Sequence, residues 1–201
     1  MKRFILITGM FTAGKTTLAN NIIKDNSDIM VIPQATTRQR RNDDNPIFFR
    51  YYDKNTYNSL KFFSCFGNYG ILMDDIKKFI LSDKKVAIAI VSTPDINVFL
   101  NKIPRKYLYL ILRTLTPSLE EEKKEINKRF PYFFSGITLQ NRIDLAVKLS
   151  EDFYFNSEYN SNFDKIFTLK DNGSINVDGI IISARNDGDL FKRGNEQWEE
   201  R

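Results

Sequence analysis

The sequence predicts an α/β fold in which a parallel sheet carries helices on both faces. Three observations lead there. Short apolar runs alternate with amphipathic stretches along most of the 201 residues, as strands buried on two faces and joined by crossover helices do. The first apolar run, residues 4–8, leads into Gly9-Met10-Phe11-Thr12-Ala13-Gly14-Lys15-Thr16, a glycine-bounded loop that opens an amphipathic helix. Hydrophobic residues make up 42% and charged residues 27%, with 17 Phe and 9 Tyr. That composition fills a core and excludes global disorder.

The elements follow in order. Residues 4–8 read as a buried strand and 16–24 as its following helix. Ile29–Ile32 is a second short strand. Residues 34–46, rich in Arg, Asn and Asp, read as polar and irregular. Segments 47–52 and 61–69 are aromatic and strand-like, around a helix at 53–60; together they suggest a small antiparallel lobe. Residues 74–82 read as a helix, 86–91 as a strand, 95–101 as a helix and 107–112 as a strand. A charged helix spans 118–129, with Glu120 and Lys124 at i,i+4 spacing. Phe130, Pro131 and Gly136 break it. Residues 138–152 resume a helix, with Leu139, Ile143, Ala146 and Leu149 on one face. The last strand is expected at 163–169 and the last helix at 175–184, ahead of a frayed polar tail at 186–201.

Composition excludes several classes. No apolar run approaches the roughly 20 residues of a membrane span, so no membrane partner is expected. The apolar start after Met1-Lys2-Arg3 stops at Thr8-Gly9, too early for a signal peptide. With one Cys and no His, intrachain disulfides, the usual zinc sites and His-based triads have no ligands. A cytoplasmic chain, monomeric or homodimeric, is expected. The net charge of +5, from 30 basic and 25 acidic residues, is too small to imply nucleic acid, and none is expected as a partner. It suits a site that collects phosphates.

The loop at 9–16 fits G-x-x-x-x-G-K-[ST] in full, between a strand and a helix. Its glycines let backbone N–H groups converge with the helix N-terminus on phosphate oxygens. Gly9, Thr12, Ala13, Gly14, Lys15, Thr16 and Thr17 are the candidate nucleotide contacts. Lys15 would meet the β- and γ-phosphates of ATP, and Thr16 would ligate Mg²⁺. The expected architecture is therefore of P-loop NTPase type. A GTPase would need a guanine reader such as N-K-x-D, which the sequence lacks.

Thr36-Thr37-Arg38-Gln39-Arg40-Arg41 follows the second strand. Three arginines in four residues repel one another unless anions neutralise them. Arg38 and Arg41 are placed for bidentate contacts to a phosphate monoester; a solvated basic loop is the ordinary fate of such a run.

From residue 1 to about 170 the chain resembles the guanylate kinase family. The resemblance rests on the glycine loop, then on Thr36-Thr37-Arg38-Gln39-Arg40-Arg41 matching T-T-R-x-x-R. Phe49-Arg50-Tyr51-Tyr52-Asp53-Lys54-Asn55-Thr56-Tyr57 is similar to Y-x-F-V-S-x-x-x-F, and Gly67-Asn68-Tyr69-Gly70 to G-N-Y-Y-G. It implies one domain over 1–185, with an acceptor lobe at about 34–71 and a helical lid at about 125–142. It further implies that Arg38, Arg41 and Tyr69 hold the acceptor phosphate, and that lid arginines Arg129 and Arg142 approach the transferring group.

Departures from the family bear on the acceptor. Gln34 stands for a serine, Phe49 for a phosphate-binding tyrosine, and Ile71 for a serine or threonine. The acid after the second arginine survives as Asp44. The guanine-reading glutamate has no counterpart in Lys61-Phe62-Phe63-Ser64-Cys65-Phe66, which reads as an apolar pocket. The strand end at 89–92 offers Ser92 alone as a polar side chain. The expected activity is phosphoryl transfer from ATP to a small phosphate monoester, with Asp44, Phe49, Tyr69 and Ser92 lining the acceptor site and a base other than guanine. A ribosyl phosphate acceptor, a non-catalytic interaction module and another P-loop hydrolase or end kinase are the alternatives.

Overall fold

A computed structural model describes residues 2–9, 13–41 and 44–115, and beyond them residues 120, 123–124, 126–127, 140–141, 143–144, 165–168, 172–177, 180–185 and 192–193. In chain order the elements are β1 (Arg3–Gly9), α1 (Lys15–Asp25), β2 (Ile29–Ile32), β3 (Gln34–Thr36), β4 (Phe49–Tyr51), α2 (Lys54–Ser59), β5 (Phe62–Phe66), β6 (Tyr69–Leu72), α3 (Met73–Leu81), β7 (Val86–Ile90), α4 (Thr93–Lys102), a 3₁₀ turn (Arg105–Tyr107), β8 (Leu108–Leu115), β9 (Lys165–Thr168), β10 (Asn172–Val177), β11 (Ile180–Arg185) and β12 (Lys192–Arg193).

The main sheet runs β12-β9-β8-β1-β7-β2. Its strands are parallel except β12, which lies antiparallel on β9. Alternation along the central strands builds two cores. On one face Phe4, Leu6, Ala87 and Ala89 pack with Ile76 and Phe79 of α3 and Ile96 and Phe99 of α4. On the other, Ile5, Ile7, Ile88 and Ile90 pack with Leu18, Ala19 and Ile22 of α1. This is an α/β fold with helices on both faces of a largely parallel sheet.

A second sheet, ordered β4-β3-β6-β5, forms the small lobe. It is mixed rather than antiparallel, because β4 returns beside β3 in the same direction, while β6 pairs antiparallel with both β3 and β5. Gly67, at φ 59, allows the two-residue turn that joins β5 to β6.

Three local expectations need correction. The start of the 34–46 segment, expected to be irregular, is strand β3. The expected last helix at 175–184 is the antiparallel hairpin β10–β11, with Val177 opposite Ile180. Its β-branched runs flank Asp178-Gly179, a dipeptide that favours a hairpin turn over a helix. The tail expected to be frayed contributes β12.

Among the described residues no helix is long and apolar enough to cross a membrane. In the segment expected to form the lid, residues 126, 127, 140 and 141 are helical. Glu120 pairs with Lys123 at 3.0 Å, at i,i+3 rather than i,i+4. Arg129, Arg142 and the break at 130–136 lie outside the described residues.

Candidate functional site

The glycine loop begins where β1 ends. Gly9, with φ 142, and Gly14, with φ 81 and ψ 16, both take backbone conformations that a side chain disfavours. Gly14 is the N-cap of α1, so no side chain caps that helix, and no acid stands in its first turn. Helices α2, α3 and α4 differ. Asp53 caps α2, Asp74 and Asp75 open α3, and Ser92 with Asp95 forms a capping box on α4. The positive dipole end of α1 therefore has no acidic side chain of its own beside it, a setting that favours an anion.

Lys15 reaches back across this loop, donating to the Gly9 carbonyl at 3.1 Å. Ala13 is buried in the core of the α3–α4 face. Thr16 is half-buried and Thr17 exposed; Met10, Phe11 and Thr12 lie outside the described residues.

Arg38 is the centre of the second cationic site. Its side chain is 5% exposed. Its terminal nitrogens make a two-pronged ion pair with Asp44, Nη1 to Oδ2 and Nη2 to Oδ1, both at 2.6 Å. Nη1 also donates to the Gln39 carbonyl at 2.9 Å. The guanidinium lies over the Phe49 ring at 4.6 Å and the Tyr51 ring at 5.4 Å, a cation–π support for a desolvated charge. Asp44 receives two further bonds on Oδ2, from the Tyr51 hydroxyl at 2.5 Å and the Arg41 amide at 2.7 Å.

These contacts set the ionisation. Burial pushes the Asp44 carboxyl up, but hydrogen bonds from Arg38, Tyr51 and the Arg41 amide outweigh it and hold the group at about 2. Burial and the Asp44 bond push the Tyr51 phenol up. Burial lowers Arg38, and Asp44 with the nearby Tyr69 raises it beyond its usual value. The site is therefore an ionised carboxylate under a fixed guanidinium.

Strand pairing arranges the rest. Residues opposite one another share a face, giving two rows on the side that carries Arg38. Tyr51, Thr36, Tyr69 and Phe66 form one row; Phe49, Gln34, Ile71 and Ser64 form the other. Arg38, Asp44, Phe49 and Tyr69 are thus brought together, with Arg41 joined through its backbone. Gln34, Thr36 and Ser64 are buried, and the Ser64 hydroxyl has no partner among the described residues. No carboxylate lies in either row.

Two expected site features fall elsewhere. Phe62 covers Gly70 on the opposite face and packs on Tyr57 at 4.8 Å between ring centroids. Phe63 points into the core against Phe99. Of the expected apolar pocket, Phe66 alone lies on the site face. The Ser92 hydroxyl is bonded to Asp95 within the α4 cap.

Tyr51 is the residue that motif reading missed. Strand alternation from Phe49 was the available signal. Asp75 was missed as well: it is buried and paired with Arg50 at 2.9 Å. Among the described residues no three His, Cys, Asp or Glu side chains gather as a metal cage.

Neither a protein-family model nor a curated protein matches the sequence. Among solved structures, the chain is similar to the guanylate kinase from Anaplasma phagocytophilum. The identity is 15% and the TM-score 0.48, over 75% of this chain and 86% of that one. The likeness is one of fold, and it is weak.

Proposed function

We propose that the chain is an ATP-dependent kinase acting on a phosphate-monoester acceptor, a nucleoside monophosphate whose base is not guanine. One observation carries this reading: two cationic sites stand on adjoining elements, the acid-free N-terminus of α1 with Lys15, and buried Arg38. They adjoin because Phe48, one residue before β4, is packed into the core beneath α1. The chain is read as one domain over 1–185, with the lobe at 34–71 and a lid at 125–142.

In this reading Gly9, Thr12, Ala13, Gly14 and Thr17 lie along the triphosphate, and Lys15 neutralises charge that grows on the transferring group. A nucleotide-bound Mg²⁺ keeps several waters and needs one or two protein oxygens; the half-buried Thr16 hydroxyl in the first turn of α1 is of the hard-oxygen type that suits it and would be one of them. When bound, Mg²⁺ adds charge neutralisation. Arg38, Arg41 and Tyr69 place the acceptor phosphate, and Arg129 and Arg142 approach from the lid. An acceptor oxygen attacks the γ-phosphorus while the bond to the bridging oxygen breaks and ADP departs. The acceptor is already an oxyanion, so no general base is needed, in keeping with a chain without His.

The absence of a carboxylate in the row of Gln34, Ile71 and Ser64 supports a base other than guanine, or a ribosyl phosphate. A second reading, a nucleotide-binding module without transfer, is favoured by Asp44 already occupying the terminal nitrogens of Arg38. ADP release from Mg·ATP over a panel of nucleoside and ribosyl phosphates separates them. Turnover with one acceptor, lost in Lys15→Ala, supports the kinase. ATP binding with no turnover on any acceptor supports the module.

A further inference from the structure

Asp44 is committed to its neighbours. A carboxylate offers about four lone-pair sites, two on each oxygen. Oδ2 accepts from Arg38 Nη1, the Tyr51 hydroxyl and the Arg41 amide, and Oδ1 accepts from Arg38 Nη2. Oδ2 is filled and Oδ1 is half used, both prongs of the carboxylate holding Arg38.

The guanidinium shows what that achieves. Of its five N–H groups, both on Nη1 are engaged, one by Gln39 and one by Asp44, and one on Nη2 is engaged by Asp44. The Nε–H remains, buried and without a partner among the described residues. It shares an edge with the second Nη2 hydrogen. That side edge is a two-donor fork of the spacing that suits two phosphate oxygens. The Phe49 and Tyr51 rings lie against the guanidinium at 4.6 and 5.4 Å.

We propose that Tyr51 and Asp44 are positioning residues that hold the terminal edge of Arg38 so that its Nε–Nη2 edge receives the acceptor's phosphate group. This rests on the kinase reading only in taking Arg38 as an acceptor contact. Tyr51 stands two residues after Phe49 on the same strand face, and its hydroxyl donates to Asp44. The ligand class is a phosphate monoester or inorganic phosphate, gripped from the side.

The test uses the full chain saturated with ADP, so that the glycine loop is filled, titrated with inorganic phosphate. Binding is followed through the ¹⁵N–¹H signal of the Arg38 Nε, assigned by its loss in Arg38→Lys. Phosphate should move this signal in the wild type. Tyr51→Phe keeps the ring and removes the hydroxyl; it should weaken phosphate at least fivefold and broaden the Nε signal, with ADP affinity unchanged. Asp44→Asn should weaken phosphate further. Should Asp44→Asn fail to fold, Tyr51→Phe, checked by its thermal midpoint, decides alone. A wild-type Nε signal that phosphate does not move removes both the acceptor reading and this inference. A wild-type response matched within twofold by Tyr51→Phe overturns this inference alone. Tighter phosphate binding in Asp44→Asn also overturns it, since Asp44 would then be a competitor for Arg38.

Discussion

The side-chain amide of Asn45 donates to the side-chain oxygen of Asn20 at 2.9 Å, joining the segment that carries Asp44 to helix α1. Three residues later Phe48 enters the core against α1 with 1% of its surface exposed, and its carbonyl accepts from the Gln34 amide at 2.8 Å. The segment that fixes Arg38 is thus seated on the helix that begins with Lys15.

Phe48→Ala should cost about 3–5 kcal/mol, the usual loss for truncating a buried aromatic ring. Asn45→Ala, at an exposed pair, should cost less than about 1 kcal/mol. Urea unfolding of the two variants measures this. A wild-type midpoint for Phe48→Ala would remove that ring from the core.

Lys15→Ala should abolish phosphoryl transfer and leave the fold intact. The native bond to the Gly9 carbonyl is a charge-assisted one of about 1.5–3 kcal/mol, small beside the charge the ammonium neutralises during transfer. Steady-state turnover checks it. Activity within about tenfold of wild type would take Lys15 out of the transfer step.

Arg38→Ala and Arg41→Ala should each weaken the acceptor by ~1.5–3 kcal/mol while ATP affinity holds. The two differ in stability. Removing Arg38 strands the Asp44 carboxylate, which is 7% exposed, and breaking a buried pair costs about 3–5 kcal/mol. Separate titrations with ATP and acceptor, beside thermal unfolding, test this. Equal losses for both ligands would place the arginines elsewhere.

The pH dependence of stability has a definite sign. Asp44 is held at about 2 in the folded chain against a usual 3.8, so the unfolded chain binds more protons between these values. Its contribution of about 2 kcal/mol is complete above roughly pH 5 and is lost as pH falls through the folded value. Asp44→Asn should remove that part of the slope. Unfolding free energies measured from pH 5 to pH 2 would show it, and identical slopes for wild type and variant would contradict it.

GMP should not be the preferred acceptor. The guanine N1–H and N2 amine call for a carboxylate, and the row of Gln34, Ile71 and Ser64 has none. An unpaired polar edge lowers kcat/KM by up to ~10⁴-fold. Comparing GMP, dGMP, UMP, CMP, dTMP, AMP and ribosyl phosphates under one set of conditions decides it. A preference of more than about tenfold for GMP or dGMP would mean that an unplaced carboxylate reads the base.

Periodicity and loop chemistry were enough to read the parallel strands of the main sheet, though not β12 in the polar tail. Residues 4–8 and 86–91 are continuous apolar runs because both faces of their strands are covered, and the glycine loop lies between strand and helix as its spacing requires. Pairing between strands was not legible. The polar start of the 34–46 segment hides β3, since Gln34 and Thr36 are polar residues that are nonetheless buried. The aromatic run at 62–66 divides between two faces and the core because the register shifts between Phe62 and Ser64, which no composition reveals. Arg38 was legible as a cation that needs an anion. That Asp44 and Tyr51 meet it was not, because their approach depends on β4 pairing beside β3 in register.

Strand β4 has three residues, and each faces a commitment of its own. Phe49 and Tyr51 lie beneath Arg38, while Arg50 turns the other way to Asp75. Side chains alternate with period two, so a one-residue slip exchanges the faces. Arg50 would then sit beneath Arg38 as a like charge, and buried Asp75 would lose its partner. A change that slips the pairing of β4 by one residue is therefore more damaging than a substitution at any one of its three positions, because it breaks the support of Arg38 and the partner of Asp75 together.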